Sequence, residues 1–164
     1  DAGEGREQRH VEAPLREHTH ISHQLRSQIA GLKLSMAGLG PDAHFKKPAQ
    51  ISGGMRKRAA VARALALDPE LLFLDEPTAG LDPISAENFD RMTEELARSL
   101  GLTVFLVTHD LDTLHAICDR VAVLYGGKVA AIGTIAEITA NAQGWVKDYF
   151  SGPRGRAAGR SAGG

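Results

Sequence analysis

Four apolar residues, Leu71-Leu72-Phe73-Leu74, run straight into two carboxylates, Asp75-Glu76, and then Pro77. No other feature restricts the fold as much. A short run with no polar side to turn toward water reads as a strand buried on both faces, the pattern of a parallel sheet. Such a strand delivers its last side chains to the carboxyl edge of the sheet, where open α/β sheets bind ligands. Thr103-Val104-Phe105-Leu106-Val107-Thr108 repeats the pattern and ends in His109-Asp110. Between the two runs, Pro83 opens a stretch with Phe89, Met92, Leu96 and Leu100 on one helical face, closed by Gly101. Strand, helix, strand in that order predicts an α/β fold, a mainly parallel sheet with helices on both faces.

The remaining pattern fills in around this unit. Ile21, Leu25, Ile29, Leu32 and Met36 fall at helical spacing, predicting a helix that starts after Ser22 and ends at Gly38 and Gly40. A second helix is expected from Gly53-Gly54 to Leu67, stopped by Asp68-Pro69. A short helix should follow His109-Asp110 as far as Cys118. Residues 121–124 and 128–132 flank Tyr125-Gly126-Gly127 and predict a hairpin, an antiparallel edge to the sheet. Two short helices, near residues 135–140 and 145–150, complete the body. Residues 1–13 are polar and lack periodicity, so a disordered or non-native start is expected. Residues 153–164 carry Gly, Ala, Arg154, Arg156 and Arg160 and read as a flexible basic tail.

Composition excludes several functions. Nineteen Lys and Arg against twenty Asp and Glu give a net charge of -1, without the basic excess of a dedicated nucleic-acid binder. Arg56-Lys57-Arg58 then reads as a solvated helix face. A single cysteine, Cys118, excludes a disulfide framework and a cysteine-rich zinc site. No apolar run approaches the roughly 20 residues of a membrane helix, so a membrane role has to come through a partner.

Three places carry candidate chemistry. Asp75, at the strand end, could hold Mg²⁺, a hard cation that takes carboxylate and water oxygens. Glu76 could orient and deprotonate a water. Ile51-Ser52-Gly53-Gly54-Met55 offers a hydroxyl and two glycines at a helix start, where backbone N–H groups and the helix dipole favour an anion. His109 ends the second strand, on the same edge as Asp75 and Glu76, and could donate to a phosphate oxygen or a water. Each also has a plain structural reading: a capped helix start, a solvated strand end, a structural histidine.

The order of these parts resembles the ATPase subunits of ABC transporters from Pro14 to about Arg156. Residues 51–55 look like the signature motif, with Met55 where most members carry Gln. Residues 71–76 look like Walker B, Ala79-Gly80-Leu81-Asp82 like the D-loop, and His109 like the switch histidine. Residues 52–58, 76–84, 14–18 and 149–156 are further similar to the lipid-transporting Mla branch, which serves Mce-type transporters. The resemblance implies a P-loop NTPase-like partial domain and the cofactors ATP and Mg²⁺. It implies that Ser52, Gly53 and Gly54 clamp the γ-phosphate of ATP held by the opposite subunit. Asp75 would serve Mg²⁺, Glu76 would be the general base, His109 would contact the γ-phosphate, and Asp82 would signal across a homodimer. Its implied partners are a membrane permease, a second ATPase subunit and a small STAS-type regulatory subunit. The implied place is the cytoplasmic face of a bacterial inner membrane, and the task is moving phospholipid between membranes for outer-membrane lipid asymmetry.

The same family needs a P-loop, Gly-x-x-x-x-Gly-Lys-Ser/Thr, and no glycine in the 164 residues fits that spacing. Gly126-Gly127-Lys128-Val129 lacks both the earlier glycine and the hydroxyl. By resemblance, residues 14–152 are the C-terminal part of a nucleotide-binding domain. Residues 14–67 would be the helical subdomain with the signature, 68–133 Walker B through the switch histidine and hairpin, and 134–152 the C-terminal helices. The chain is then expected either to be a truncated piece, inactive alone, or a half-module lending its signature face to another chain. A non-catalytic interaction module is the rival reading. An SMC-type half would need sustained heptads before Ile51, and none is present.

Overall fold

The computed structural model describes residues 12–141 and 143–152. The chain forms two compact units, Asp1–Asp68 and Pro69–Gly164.

In the first unit, helix α1 (Glu12–Met36) lies against α2 (Gly53–Ala64), which runs on into a single 3-10 turn, Leu65–Leu67. Ser52 starts α2 by accepting the Met55 N–H on its hydroxyl at 3.1 Å, which satisfies one of the free donors of the first turn. Asp68 ends it in the left-handed region, φ 47°, and its carboxylate pairs with Lys33 of α1. Ala37, Leu39, Val61, Ala62 and Leu65 form the buried set. Two expectations change here. Helix α1 begins at Glu12 and not after Ser22, because Pro14 falls in its first turn, where a missing N–H costs nothing. The apolar stripe forms, yet Leu25, Ile29 and Leu32 stay 50–59% exposed. Apart from Glu12 and Ala13, which open α1, the expected disordered segments 1–13 and 153–164 lie outside the described residues.

In the second unit, β1 (Leu71–Asp75) pairs in parallel with β2 (Thr103–Val107), from Leu71 opposite Thr103 to Asp75 opposite Val107. Helix α3 (Pro83–Leu100) makes the crossover, capped by Asp82 and ended by Gly101 at φ 65°, a conformation that glycine adopts without a Cβ penalty. Paired residues share a face, and the two faces differ. Leu72, Leu74, Val104 and Leu106 turn inward, while Leu71, Phe73, Phe105 and Val107 are 44–67% exposed. The Phe73 and Phe105 rings meet at 5.5 Å on that open face. Burial on both faces is therefore corrected to burial on one. Among the described residues each strand has a single neighbour, so the ribbon is too narrow to be covered twice.

Strands β3 (Val121–Tyr125) and β4 (Lys128–Gly133) form the expected hairpin around Gly126-Gly127, both at positive φ as a two-residue turn requires. It is a separate two-stranded sheet, not an antiparallel edge on β1 and β2. Its inward residues explain this. Val121 and Val123 bury against Leu114 of α4 (Leu111–Ile117), Ile138 of α5 (Ile135–Asn141), and Val146 and Phe150 of α6 (Gly144–Ser151). The hairpin thus has a core of its own. The architecture remains a partial α/β domain with a small antiparallel hairpin.

Candidate functional site

The level ends of β1 and β2 bring two loops together. Pairing continues one residue past β1, where the Glu76 N–H donates to the Val107 carbonyl at 2.8 Å. Glu76 sits at φ 44°, in the left-handed region. For a residue with a Cβ that conformation costs roughly 1–2 kcal/mol, and strain of this kind gathers at functional sites. It swings the carboxylate toward the loop after β2. Glu76 Oε1 lies 2.7 Å from His109 Nδ1, and Thr108 Oγ1 donates to Oε2 at 3.4 Å. A carboxylate only accepts, so Nδ1 carries the proton and Nε2 remains for another group. The hydrogen bond that His109 donates to Glu76, then the Glu76 charge, raise the His109 pKa above 6.5.

The loop that carries His109 is held by its own turn. The Asp110 N–H donates to Thr108 Oγ1 at 3.0 Å, and Asp110 caps α4 by accepting the Asp112 N–H at 3.0 Å. Asp75 is exposed on the open face, in register with Val107. After Glu76 the chain makes two successive turns, Ala79 N–H to Glu76 O at 3.2 Å and Leu81 N–H to Thr78 O at 3.0 Å. It then reaches Asp82, whose carboxylate accepts from the Ser85 hydroxyl and N–H at 2.5 and 3.0 Å. Those bonds lower the Asp82 pKa.

Beneath these turns is a buried polar chain that no sequence pattern revealed. Thr78 Oγ1 lies 3.5 Å from Thr113 Oγ1, which donates to Asp90 Oδ2 at 2.9 Å. All three side chains belong to residues 1–5% exposed. Among the described residues Asp90 Oδ1 has no hydrogen-bond partner. Burial, opposed by the Thr113 bond and aided by the charge of Asp110, pushes the Asp90 carboxyl up to about 6.

Ser52, Gly53 and Gly54 belong to the other unit, at the first turn of α2. A Cβ at Gly53 would meet nothing nearer than Arg56 Nη2 at 3.8 Å, so packing does not demand glycine there. Arg56 Nη1 donates to the Ile51 carbonyl at 2.8 Å and braces the turn. Of the residues read from sequence, Glu76 and His109 are brought into contact. Asp75 and Asp82 flank Glu76 along the chain.

Among the described residues no cluster of three or more His, Cys, Asp or Glu is gathered for a metal ion. One exposed carboxylate at a strand end still suits Mg²⁺, which keeps waters and substrate phosphates and takes only one or two protein oxygens. No described helix is long and apolar enough to cross a membrane.

The parallel strand pair with its crossover helix and the appended hairpin form part of the fold seen in solved ABC-type ATP-binding cassettes. The ABC transporter family model matches residues 7–79. The methionine import ATP-binding protein MetN of Vibrio vulnificus is 39% identical over 131 residues, 80% of this chain and 38% of that protein. The intermembrane phospholipid transport system ATP-binding protein MlaF of Haemophilus influenzae is 39% identical over 142 residues, 87% of this chain and 53% of that protein. Among solved structures, a dimeric post-hydrolysis state of the ATP-binding cassette MJ0796, bound to ADP and Pi, is similar with a TM-score of 0.60 and 34% identity. That match covers 68% of this chain and 47% of the other. The chain therefore spans about half the length, or less, of the relatives it matches.

Proposed function

We propose that the chain is the signature-bearing part of an ATP-hydrolysing ABC transporter subunit, acting as one of two copies beneath a membrane permease. The observation that carries this reading is the contact of Glu76 with His109 at the sheet edge, 2.7 Å. Glu76 is the general base that takes a proton from the attacking water. His109, held by Glu76 through Nδ1, presents Nε2–H to a γ-phosphate oxygen, and its raised pKa favours that donor form. Asp75 holds Mg²⁺ through water, and the ion, when bound, offsets charge on the phosphate oxygens. Ser52, the open backbone at Gly53 and the Gly54 N–H supply donors to the ATP of the second subunit, and Asp82 signals between the copies.

The cargo we propose is phospholipid moved between membranes, with this subunit at the cytoplasmic face of a bacterial inner membrane and a STAS-type subunit as further partner. The resemblance of residues 52–58 and 76–84 to the Mla branch supports it, as does the 87% span of the MlaF match. The methionine-import relatives, 36–46% identical over 63–85% of this chain, support amino-acid import as a second reading.

The 164 residues hold no P-loop, so nothing in this chain cradles the β- and γ-phosphates, and alone it turns over no ATP. Joined behind a P-loop-bearing segment, it is expected to hydrolyse ATP and to dimerise across two nucleotides. Glu76→Gln in that protein should bind ATP, lose turnover by about a hundredfold or more, and run as a dimer in size-exclusion chromatography with ATP and Mg²⁺. A Glu76→Gln protein that stays monomeric, beside a parent that hydrolyses normally, removes the base and signature assignments. Reconstituted with its permease, phospholipid and not methionine should stimulate its ATPase; the reverse result gives the amino-acid reading.

A further inference from the structure

The Tyr149 hydroxyl, on α6, donates to the main-chain carbonyl of His109 at 2.8 Å, across forty residues of sequence. The ring that presents it is held on two sides. It stacks on Trp145 at 5.1 Å and 25°, and Trp145 stacks on Tyr125 of the hairpin at 4.9 Å and 11°. Phe150, 4% exposed in the core of the hairpin and helices, meets Tyr149 edge-on at 5.3 Å. An aromatic ladder rooted in that core thus ends on the residue whose side chain touches Glu76.

We propose that Tyr149 is a positioning residue: its hydroxyl fixes the His109 main chain so that the imidazole stays on Glu76. Besides the contacts of Thr108 and His109 with Glu76, that loop is tied locally, by Thr108 to Asp110 and Asp110 to α4. Without the hydroxyl the carbonyl turns to water, and the loop samples arrangements that part the ring from the carboxylate. Asp110 and Glu76 are the charged groups that face both side chains. Burial and those two carboxylates raise the phenol pKa, so the hydroxyl keeps its proton, and its role as donor, across the neutral range. The inference rests on the role given to His109 above, but its test needs no nucleotide.

The test is Tyr149→Phe in the full 164-residue chain, which keeps the ring and its stack. The His109 Cε1–H resonance is followed by NMR from acid to mildly alkaline pH, with Glu76→Gln alongside. The wild type should titrate above the ordinary histidine midpoint. Tyr149→Phe should fall back toward it by about 0.3 unit or more, with its thermal melt unchanged. Trp145→Phe, which loosens the support under Tyr149, should move the midpoint the same way by less, and serves if Tyr149→Phe does not fold. If Glu76→Gln lowers the midpoint and neither aromatic variant does, the positioning role is overturned while the Glu76–His109 pair stands. If Glu76→Gln leaves the midpoint in place, the pair itself does not form in solution and both readings fall.

Discussion

Replacing Asp90 by Asn should flatten the dependence of stability on pH. Asp90 is 5% exposed, one oxygen takes the Thr113 hydroxyl at 2.9 Å, and its pKa is raised from 3.8 to about 6. A folded-state pKa above the unfolded one means that the native chain holds its proton longer. The associated stability is fully present below about pH 4 and is lost as pH rises through about 6. Two units at 1.36 kcal/mol each set an upper value of about 3 kcal/mol, and relaxation of the surroundings when the buried carboxylate ionises brings the expectation to about 2 kcal/mol. Asn keeps the acceptor for Thr113 and cannot ionise, so its cost or gain is the same at every pH. Urea unfolding followed by far-UV circular dichroism, at steps between pH 4 and 8, measures the difference between the two proteins. Asp82 and Glu137, whose pKa values are lowered, tilt both curves the other way and cancel in that difference. Asp110, which faces Asp90, is present in both. The variant should gain about 2 kcal/mol on the wild type between acid and neutral pH. An offset equal at pH 4.5 and pH 7.5 would show that Asp90 does not carry its charge in a buried setting, and the reasoning would fail.

Two further outcomes follow from the same neighbourhood. Burial, with Asp90 and Asp119 adding negative charge, pushes the Cys118 thiol up to about 11, so iodoacetamide should alkylate it about a hundredfold more slowly than a free thiol near pH 8. Asp90→Asn should speed that reaction and full unfolding in urea should restore the ordinary rate, both read by mass spectrometry. Asp82→Ala should weaken α3, because the cap that receives both Ser85 donors is gone. Since its pKa is lowered, the loss relative to wild type should be largest above pH 4 and shrink as acid protonates Asp82. A deficit that grows in acid would contradict the cap assignment.

How much was legible depended on whether the signal was local. Ser52, Asp82 and Gly101 each act within a turn of their helix, so the bounds of α2 and α3 could be read from neighbours in sequence. Gly126-Gly127 did the same for the hairpin. The end of each apolar run correctly put Glu76 and His109 at one edge, because a parallel crossover leaves no other place for them. An apolar run, however, reports only that its side chains avoid water, not what covers them, and the open face of Phe73 and Phe105 was invisible. The hairpin's separation was hidden for a similar reason, since its core comes from Leu114, Ile138, Val146 and Phe150, spread along the chain from residue 114 to residue 150. Asp90 follows Phe89 on α3, outside the apolar positions Phe89, Met92, Leu96 and Leu100, and nothing local in the sequence marks it as buried. Tyr149 reaches His109 across a separation that no periodicity encodes.

The register of β1 and β2 makes the pair a matched set of rulers. Both strands are five residues long, and they start and finish level, Leu71 with Thr103 and Asp75 with Val107. Distance along either strand is counted in steps of about 3.3 Å, and each step also turns a side chain from one face to the other. Deleting or adding one residue in either run would leave a plausible apolar strand. It would nevertheless carry Glu76 past His109 by more than a hydrogen bond can span, and would exchange the inward and outward side chains of that strand. Substitutions inside these runs are therefore a matter of volume, whereas changes in their length are a matter of alignment. The chain should tolerate insertions in the turn at Gly126-Gly127 and reject them between Leu71 and Glu76.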